Sequence, residues 1–199
     1  MSFSPGERWG SYVIAAEGGK PQPVTGQPGA ADPTWSPDGT KLILGGSIAD
    51  HTAEHPILVQ VVDLQTRKVS AVPGSEGLYS PRWSPDGRSI AALSADNTRL
   101  ALYERATGRW RDLVVGSEGL GYPTWTRGSV WIQLQKGGSI VRVRAADGHV
   151  EPVASLERVP PVSTEGSWSW IGIAPDDSPI TLREMTGPVE VYALDVEWP

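Results

Sequence analysis

The chain has 199 residues, a formal net charge of −6 and a pI near 5.1, so it lacks the basic stripe that a nucleic-acid surface needs. It contains no cysteine, which excludes disulfides and thiol chemistry, and no apolar run near the roughly 20 residues of a membrane span. Its 23 glycines and 18 prolines break up any helical period and predict a turn every few residues. The first residues carry neither the basic nor the apolar stretch of a leader peptide, so none is expected.

The first unit opens on Phe3-Ser4-Pro5-Gly6 and predicts strands over 11–16 and 22–25, joined at Gly18-Gly19. Trp35-Ser36-Pro37-Asp38-Gly39 then precedes a second unit, with strands expected over 41–45, 57–64, 68–72 and 80–83. Trp83-Ser84-Pro85-Asp86-Gly87 opens a third, over 89–94, 100–105, 109–114 and 122–125. Trp125-Thr126-Arg127-Gly128 fills the same place without Pro or Asp, and leads into strands over 129–135, 140–144, 149–154 and 168–171. A worn copy, Ile173-Ala174-Pro175-Asp176-Asp177, precedes 180–184 and 189–197. Hairpins are expected at Thr107-Gly108 and Asp147-Gly148, where glycine supplies positive φ without steric cost.

The turn motifs recur at spacings of 48, 42 and 48 residues, the period of propeller blades. Further columns align with them. Nine residues before each of Trp35, Trp83 and Trp125 stand Gly26, Gly74 and Gly116; six before stand Gly29, Gly77 and Gly119; two before stand Pro33, Pro81 and Pro123. Gly-Ser-Glu-Gly-Leu occurs verbatim at 74–78 and 116–120. Duplication of one structural unit explains this, and such a unit must stack on its neighbours to bury its apolar faces. The expectation is an all-β, propeller-type array of four-stranded blades within one domain, 1–199. The repeats run over 1–35, 36–83, 84–125, 126–173 and 174–199, giving four to five blades, three complete and two partial.

The Trp-Ser-Pro-Asp-Gly signature resembles the TolB-type β-propeller repeat, a relative of WD-repeat blades. The tail, Gly166-Ser167-Trp168 through Ala174-Pro175-Asp176-Asp177-Ser178 to Tyr192-Ala193-Leu194-Asp195, is similar to the C-terminal blades of bacterial propellers attached to winged-helix regulators or Ser/Thr kinases. The resemblance implies six or more blades in a whole domain, so this chain is expected to match the C-terminal part of one. It also implies a sensing or protein-interaction role and favours an extracytoplasmic, periplasmic setting.

In each turn Pro presets φ, Asp bonds back to the following amides and Gly takes the positive-φ place. Trp35, Trp83, Trp125, Asp38, Asp86, Asp176, Gly39 and Gly87 are accordingly read as structural repeat positions, with the tryptophans wedged between blades. Trp9, Trp110, Trp131 and Trp198 lie outside that slot, and an exposed one would suit a partner. His51-Thr52-Ala53-Glu54-His55 spells a zinc-protease motif. That chemistry needs a helix to bring His51, Glu54 and His55 together, and here Pro56 and a strand follow, so they are weak metal candidates in a loop.

No Gly-x-Ser-x-Gly elbow and no phosphate-binding glycine loop before a helix is present. Glu76 and Glu118 occupy equivalent places in adjacent units and are read as polar loop tips rather than an acid–base pair. The inner strands are expected at Leu42-Ile43-Leu44, Ile90-Ala91-Ala92-Leu93 and Ile132-Gln133-Leu134, poor catalytic material. No catalytic residue and no cofactor is therefore expected, and the binding residues stay unassigned. The sequence points to a non-catalytic binding or scaffolding module that takes a protein partner or associates with itself. A propeller hydrolase or lyase with a site at the central channel, or a ligand-free fragment closed by self-association, are the alternatives.

Overall fold

A computed structural model describes residues 2–3, 10–25, 30–46, 48, 52, 56–158 and 171–181. Among them there is no helix, and none therefore long and apolar enough to cross a membrane. The first sheet contains β1 (Ser2–Phe3), β2 (Gly10–Val13) and β3 (Gln22–Pro23). Three four-stranded sheets follow: β4 (Ala30–Trp35), β5 (Lys41–Gly46), β6 (Gln60–Asp63) and β7 (Val69–Ala71); β8 (Leu78–Trp83), β9 (Ser89–Ser94), β10 (Arg99–Glu104) and β11 (Arg109–Val115); β12 (Leu120–Trp125), β13 (Trp131–Lys136), β14 (Ser139–Arg144) and β15 (Val150–Ser155). β16 (Ile171–Ile173) and β17 (Pro179–Thr181) form a pair. Every sheet is an antiparallel meander in chain order. The fold is thus an all-β row of blades, three of them complete.

The sheets begin one strand earlier than the sequence grouping places them. Ser80–Trp83 and Tyr122–Trp125 were expected to end one blade, yet β8 pairs with β9 and β12 with β13. The reason is the turn itself. It is a tight hairpin, and a hairpin joins strands that bond to each other. In the first complete sheet the Ser36 amide donates to the Lys41 carbonyl and the Gly39 amide to the Ser36 carbonyl, both at 2.9 Å. Asp38 Oδ1 accepts from Ser36 Oγ at 2.6 Å and from the Thr40 amide at 3.0 Å. Ser84, Asp86 and Arg88 repeat the device.

The third and fourth turns depart from glycine. Ser129 (φ 57°) and Asp177 (φ 63°) occupy the place held by Gly39 and Gly87. Each of these side chains reaches back to the preceding turn. Ser129 Oγ accepts from the Asp86 amide, and Asp177 Oδ1 from the Arg127 amide, both at 3.0 Å.

Side chains of the second strand of each complete sheet alternate between two seams. Ile43 joins Val59, Leu78, Ile90 and Ala92 between the first two complete sheets, while Leu42 and Leu44 face the other way with Val24 and Val62. Ala91 and Leu93 turn towards Leu120, Ile132, Leu134 and Val143 in the next seam. The middle strands are therefore continuously apolar because both faces are covered.

The edges β4, β8 and β12 approach one another, so they are the innermost strands. Thr34 Oγ1 donates to the Pro81 carbonyl at 3.1 Å, and Trp125 Nε1 to the Arg82 carbonyl at 3.0 Å. This corrects the expectation that the runs at 42–44, 90–93 and 132–134 are innermost. They are the second strands, sealed between sheets.

The hydrogen bond from Ser36 and those from Thr40 hold the Asp38 carboxyl at about 2, below its ordinary 3.8, and bonds led by those from Ser94 and from Arg144 do the same for Asp96 and Asp147. The unfolded chain binds protons at these carboxyls before the folded one does, so their contribution is present above pH 3.8 and lost as pH falls towards 2. Thermal melts are expected to be level from pH 7 to 5 and to drop between about pH 4 and 2. Asp38→Ala and Asp86→Ala are each expected to lower Tm at neutral pH by about 2–4 °C. An unchanged melting curve in both variants would remove the structural role of these carboxylates.

Candidate functional site

Trp83 and Trp125 are each 7% exposed, sealed in the seams on either side of the second complete sheet. Trp35 is 53% exposed, unlike its two counterparts. Trp110 donates from Nε1 to the Pro73 carbonyl and stacks tilted on Tyr103, and Trp131 lies under the guanidinium groups of Arg142 and Arg144. Asp176 accepts from the Ser178 amide and hydroxyl within its own turn. His51, Glu54 and His55, with Trp9 and Trp198, lie outside the described residues. Among the described residues no group of His, Asp and Glu is placed to hold a metal. Glu76 is exposed, and Glu118 pairs with Lys136 at 3.1 Å.

The polar side chains converge elsewhere, on the innermost strands. A hollow of about 290 Å³ is lined by Asp32 of β4, Tyr79, Ser80 and Arg82 of β8, and Leu120, Gly121 and Tyr122 of β12, with Asn97 from the β9–β10 turn. Three sheets thus contribute to one concavity.

Local sequence explains how. The proline two residues before each tryptophan cannot donate to the ladder, and the pairing register shifts there in all three strands. The residue before each of these prolines takes positive φ: Asp32 at 52°, Ser80 at 49° and Tyr122 at 51°. Non-glycine residues rarely adopt that conformation, and a following proline disfavours helical backbone further. Each bulge turns its own strand's side chains inward, towards the axis shared by the sheets.

Close approach between sheets makes room for the central bulge. A Cβ on Gly45 would stand 2.9 Å from the Ser80 nitrogen and 3.0 Å from Pro81 Cδ. Asn97, at φ 58°, sits in a second Ser-x-Asp turn, where Ser94 and Thr98 bond to Asp96 as Ser36 and Thr40 bond to Asp38. Its amide donates to the Ser94 carbonyl, and its carbonyl accepts from the Leu120 amide of the next sheet, both at 2.8 Å.

Tyr79 Oη donates to Asn97 Oδ1. Burial, then the charge of Asp32, push the Tyr79 phenol up to about 12, so it stays protonated at neutral pH. Arg82 is partly exposed as a whole, but its guanidinium lies deep enough that burial pulls its pKa down against the influence of Asp32 and Tyr79. A guanidinium remains a cation through such a shift. The hollow therefore offers a fixed cation, one carboxylate, two phenols, a hydroxyl and an amide, which suits recognition better than proton transfer.

Sequence reasoning passed over Asp32, Tyr79, Ser80, Arg82, Asn97 and Tyr122. Two signals for them lie in the sequence. Arg82 stands where the repeat otherwise has Thr34 and Thr124, and Ser94-Ala95-Asp96-Asn97 copies the Ser-Pro-Asp-Gly pattern.

No family profile matches the sequence, and no curated protein matches it. Solved structures do. TolB from Acinetobacter baumannii superposes with a TM-score of 0.67 at 19% identity, over 93% of this chain and 45% of that one. A protein described as a TolB from Agrobacterium tumefaciens gives 0.59 at 16% identity, over 73% and 56%. The extracellular domain of a protein described as a one-component system from B. thetaiotaomicron gives 0.55 at 12%, over 80% and 21%. The chain thus has a TolB-like β-propeller fold and spans about half the length of the TolB structures it matches.

Gly45→Ala is expected to push the Ser80-Pro81 backbone away, lowering stability by about 1–3 kcal/mol, and to shift the amide resonances of Ser80 and Arg82. A variant with unaltered Tm and unaltered signals would show that the sheets do not meet this closely.

Proposed function

We propose that the chain is a non-catalytic recognition module of a bacterial envelope or regulatory protein, binding its protein partner or sensed ligand at the hollow between β4, β8 and β12. The observation that supports this is the convergence of side chains from three sheets on one concavity through bulges that carry strained backbone. Strained residues of this kind persist where surrounding structure over-determines them, and they cluster at binding sites. A rigid blade row with polar groups at its axis is a platform for recognition. The likeness to an extracellular domain and to two proteins described as TolB supports the envelope setting.

A peptide-display selection against the folded protein tests the reading, with binders mapped by amide chemical shifts. Selected peptides are expected to move Asp32, Ser80, Arg82, Asn97 and Tyr122 and to lose about tenfold or more in affinity in Arg82→Gln, as for removal of a charged hydrogen-bonding partner. Binders that all map to the outer edges β7, β11 and β15 would displace the site. Turnover of a substrate that depends on Asp32 or Tyr79 would replace recognition by catalysis.

A further inference from the structure

The hollow is richer in hydrogen-bond donors than the protein itself can use. A guanidinium has five N–H groups. In Arg82 one of them, on Nη1, reaches the Pro81 carbonyl at 2.9 Å, and the others have no hydrogen-bond partner among the described residues. Asp32 is close enough to influence Arg82 electrostatically, yet no salt bridge joins the two among the described residues. Asn97 uses its side-chain oxygen on Tyr79, and its NH₂ group has no hydrogen-bond partner among the described residues. Ser80 Oγ and Tyr122 Oη likewise find no hydrogen-bond partner among the described residues. None of these donor atoms is both fully buried and without a partner, so each stays open to a ligand that enters the hollow and exchanges water for a fixed acceptor.

We propose that the hollow is a carboxylate site, in which a ligand carboxylate takes two parallel N–H groups of Arg82 while the Asn97 amide and the Ser80 or Tyr122 hydroxyl complete its lone pairs. The planar fork of a guanidinium matches that geometry. Charge selects the same class. Arg82 and Asp32 sum to zero, and no second cation among the described residues lines the hollow, so a monoanion brings the site to a net −1 and a phosphate dianion to −2, which makes the dianion the costlier guest. The protonated Tyr79 adds no competing charge at neutral pH. A volume of about 290 Å³ admits a small acid or the acidic end of a peptide rather than a large cofactor. The carboxylate belongs either to a free small acid or to a peptide, and the chemistry at Arg82 is the same for both. This inference rests on the hollow being the recognition site proposed above.

The test is a set of titrations followed by amide chemical shifts at constant ionic strength. The probes are sodium benzoate, N-acetyl-triglycine with a free C-terminus, the same peptide capped as its amide, and inorganic phosphate. At least one of the two carboxylates is expected to give saturable shifts at Ser80, Arg82, Asn97 and Tyr122, with the capped peptide silent and phosphate weaker. Saturation by benzoate assigns a free acid, and saturation by the uncapped peptide alone assigns a peptide end. Arg82→Gln should weaken binding about tenfold or more. Asp32→Asn, which removes the opposing charge and keeps the shape, should tighten it about threefold or more, and it keeps the test open if Arg82→Gln does not fold. No saturable shift from either carboxylate, or saturable binding of the capped peptide as strong as that of the uncapped one, overturns the proposal. Display-selected peptides that fill the hollow without regard to a carboxylate would overturn this inference and leave the recognition reading standing. Carboxylate binding with no selected peptide at the hollow would do the reverse, removing the peptide-recognition reading alone.

Discussion

Each complete sheet has two faces to bury, and everything else in the molecule follows from that requirement. Leu42 and Leu44 project to one side of β5 and Ile43 to the other, while Ile90 and Ala92 oppose Ala91 and Leu93 across β9. Burying a large aliphatic side chain contributes about 1.5–3 kcal/mol, and a sheet covered on one face only would forfeit about half of these contributions. Stacking is therefore obligatory. Once three twisted sheets stack, one edge of each is drawn to a common axis, and β4, β8 and β12 are those edges.

An edge drawn to an axis has no strand to pair with on that side, so its backbone is free to deviate. Proline exploits this freedom at 33, 81 and 123, and the residue before each takes positive φ. The cost is of order 1–3 kcal/mol for each such residue, which seams as apolar as those beside β8 can offset. Order at the seams and irregularity at the axis are two sides of one arrangement. The same geometry explains the contrast between Gln133 and the apolar residues at equivalent places. Its amide nitrogen donates to the Asp177 carbonyl at 2.6 Å, so the seam beyond β13 is partly polar.

What could be read in the sequence was local chemistry. Ser36 with Asp38, and Ser84 with Asp86, specify a turn within five residues, and the recurrence of that turn gives the blade period. Three full blades between partial ones followed directly. What could not be read was set by distance. Nothing in Trp83-Ser84-Pro85-Asp86-Gly87 says on which side of the turn a sheet begins, and the grouping went one strand astray for that reason. The innermost strand was then misplaced with it. The hollow draws on Asp32, Arg82 and Tyr122, residues from three separate repeats at columns where the residue type varies. Their convergence exists only after stacking. The equivalence of the proline column was visible, but the variable residue beside each proline carries the chemistry.

The two turns that lost glycine have a consequence for how blades are coupled. Ser129 holds the Asp86 amide and Asp177 holds the Arg127 amide, so in each pair the later blade supplies the side chain and the earlier one the backbone donor. Each bond ties two neighbouring turns, and the coupling through it is reciprocal, so loosening either turn weakens the hold on the other. Solvent exchange at the Asp86 amide therefore reads the state of the following blade as well as that of its own turn, and exchange at the Arg127 amide reads the turn between β16 and β17.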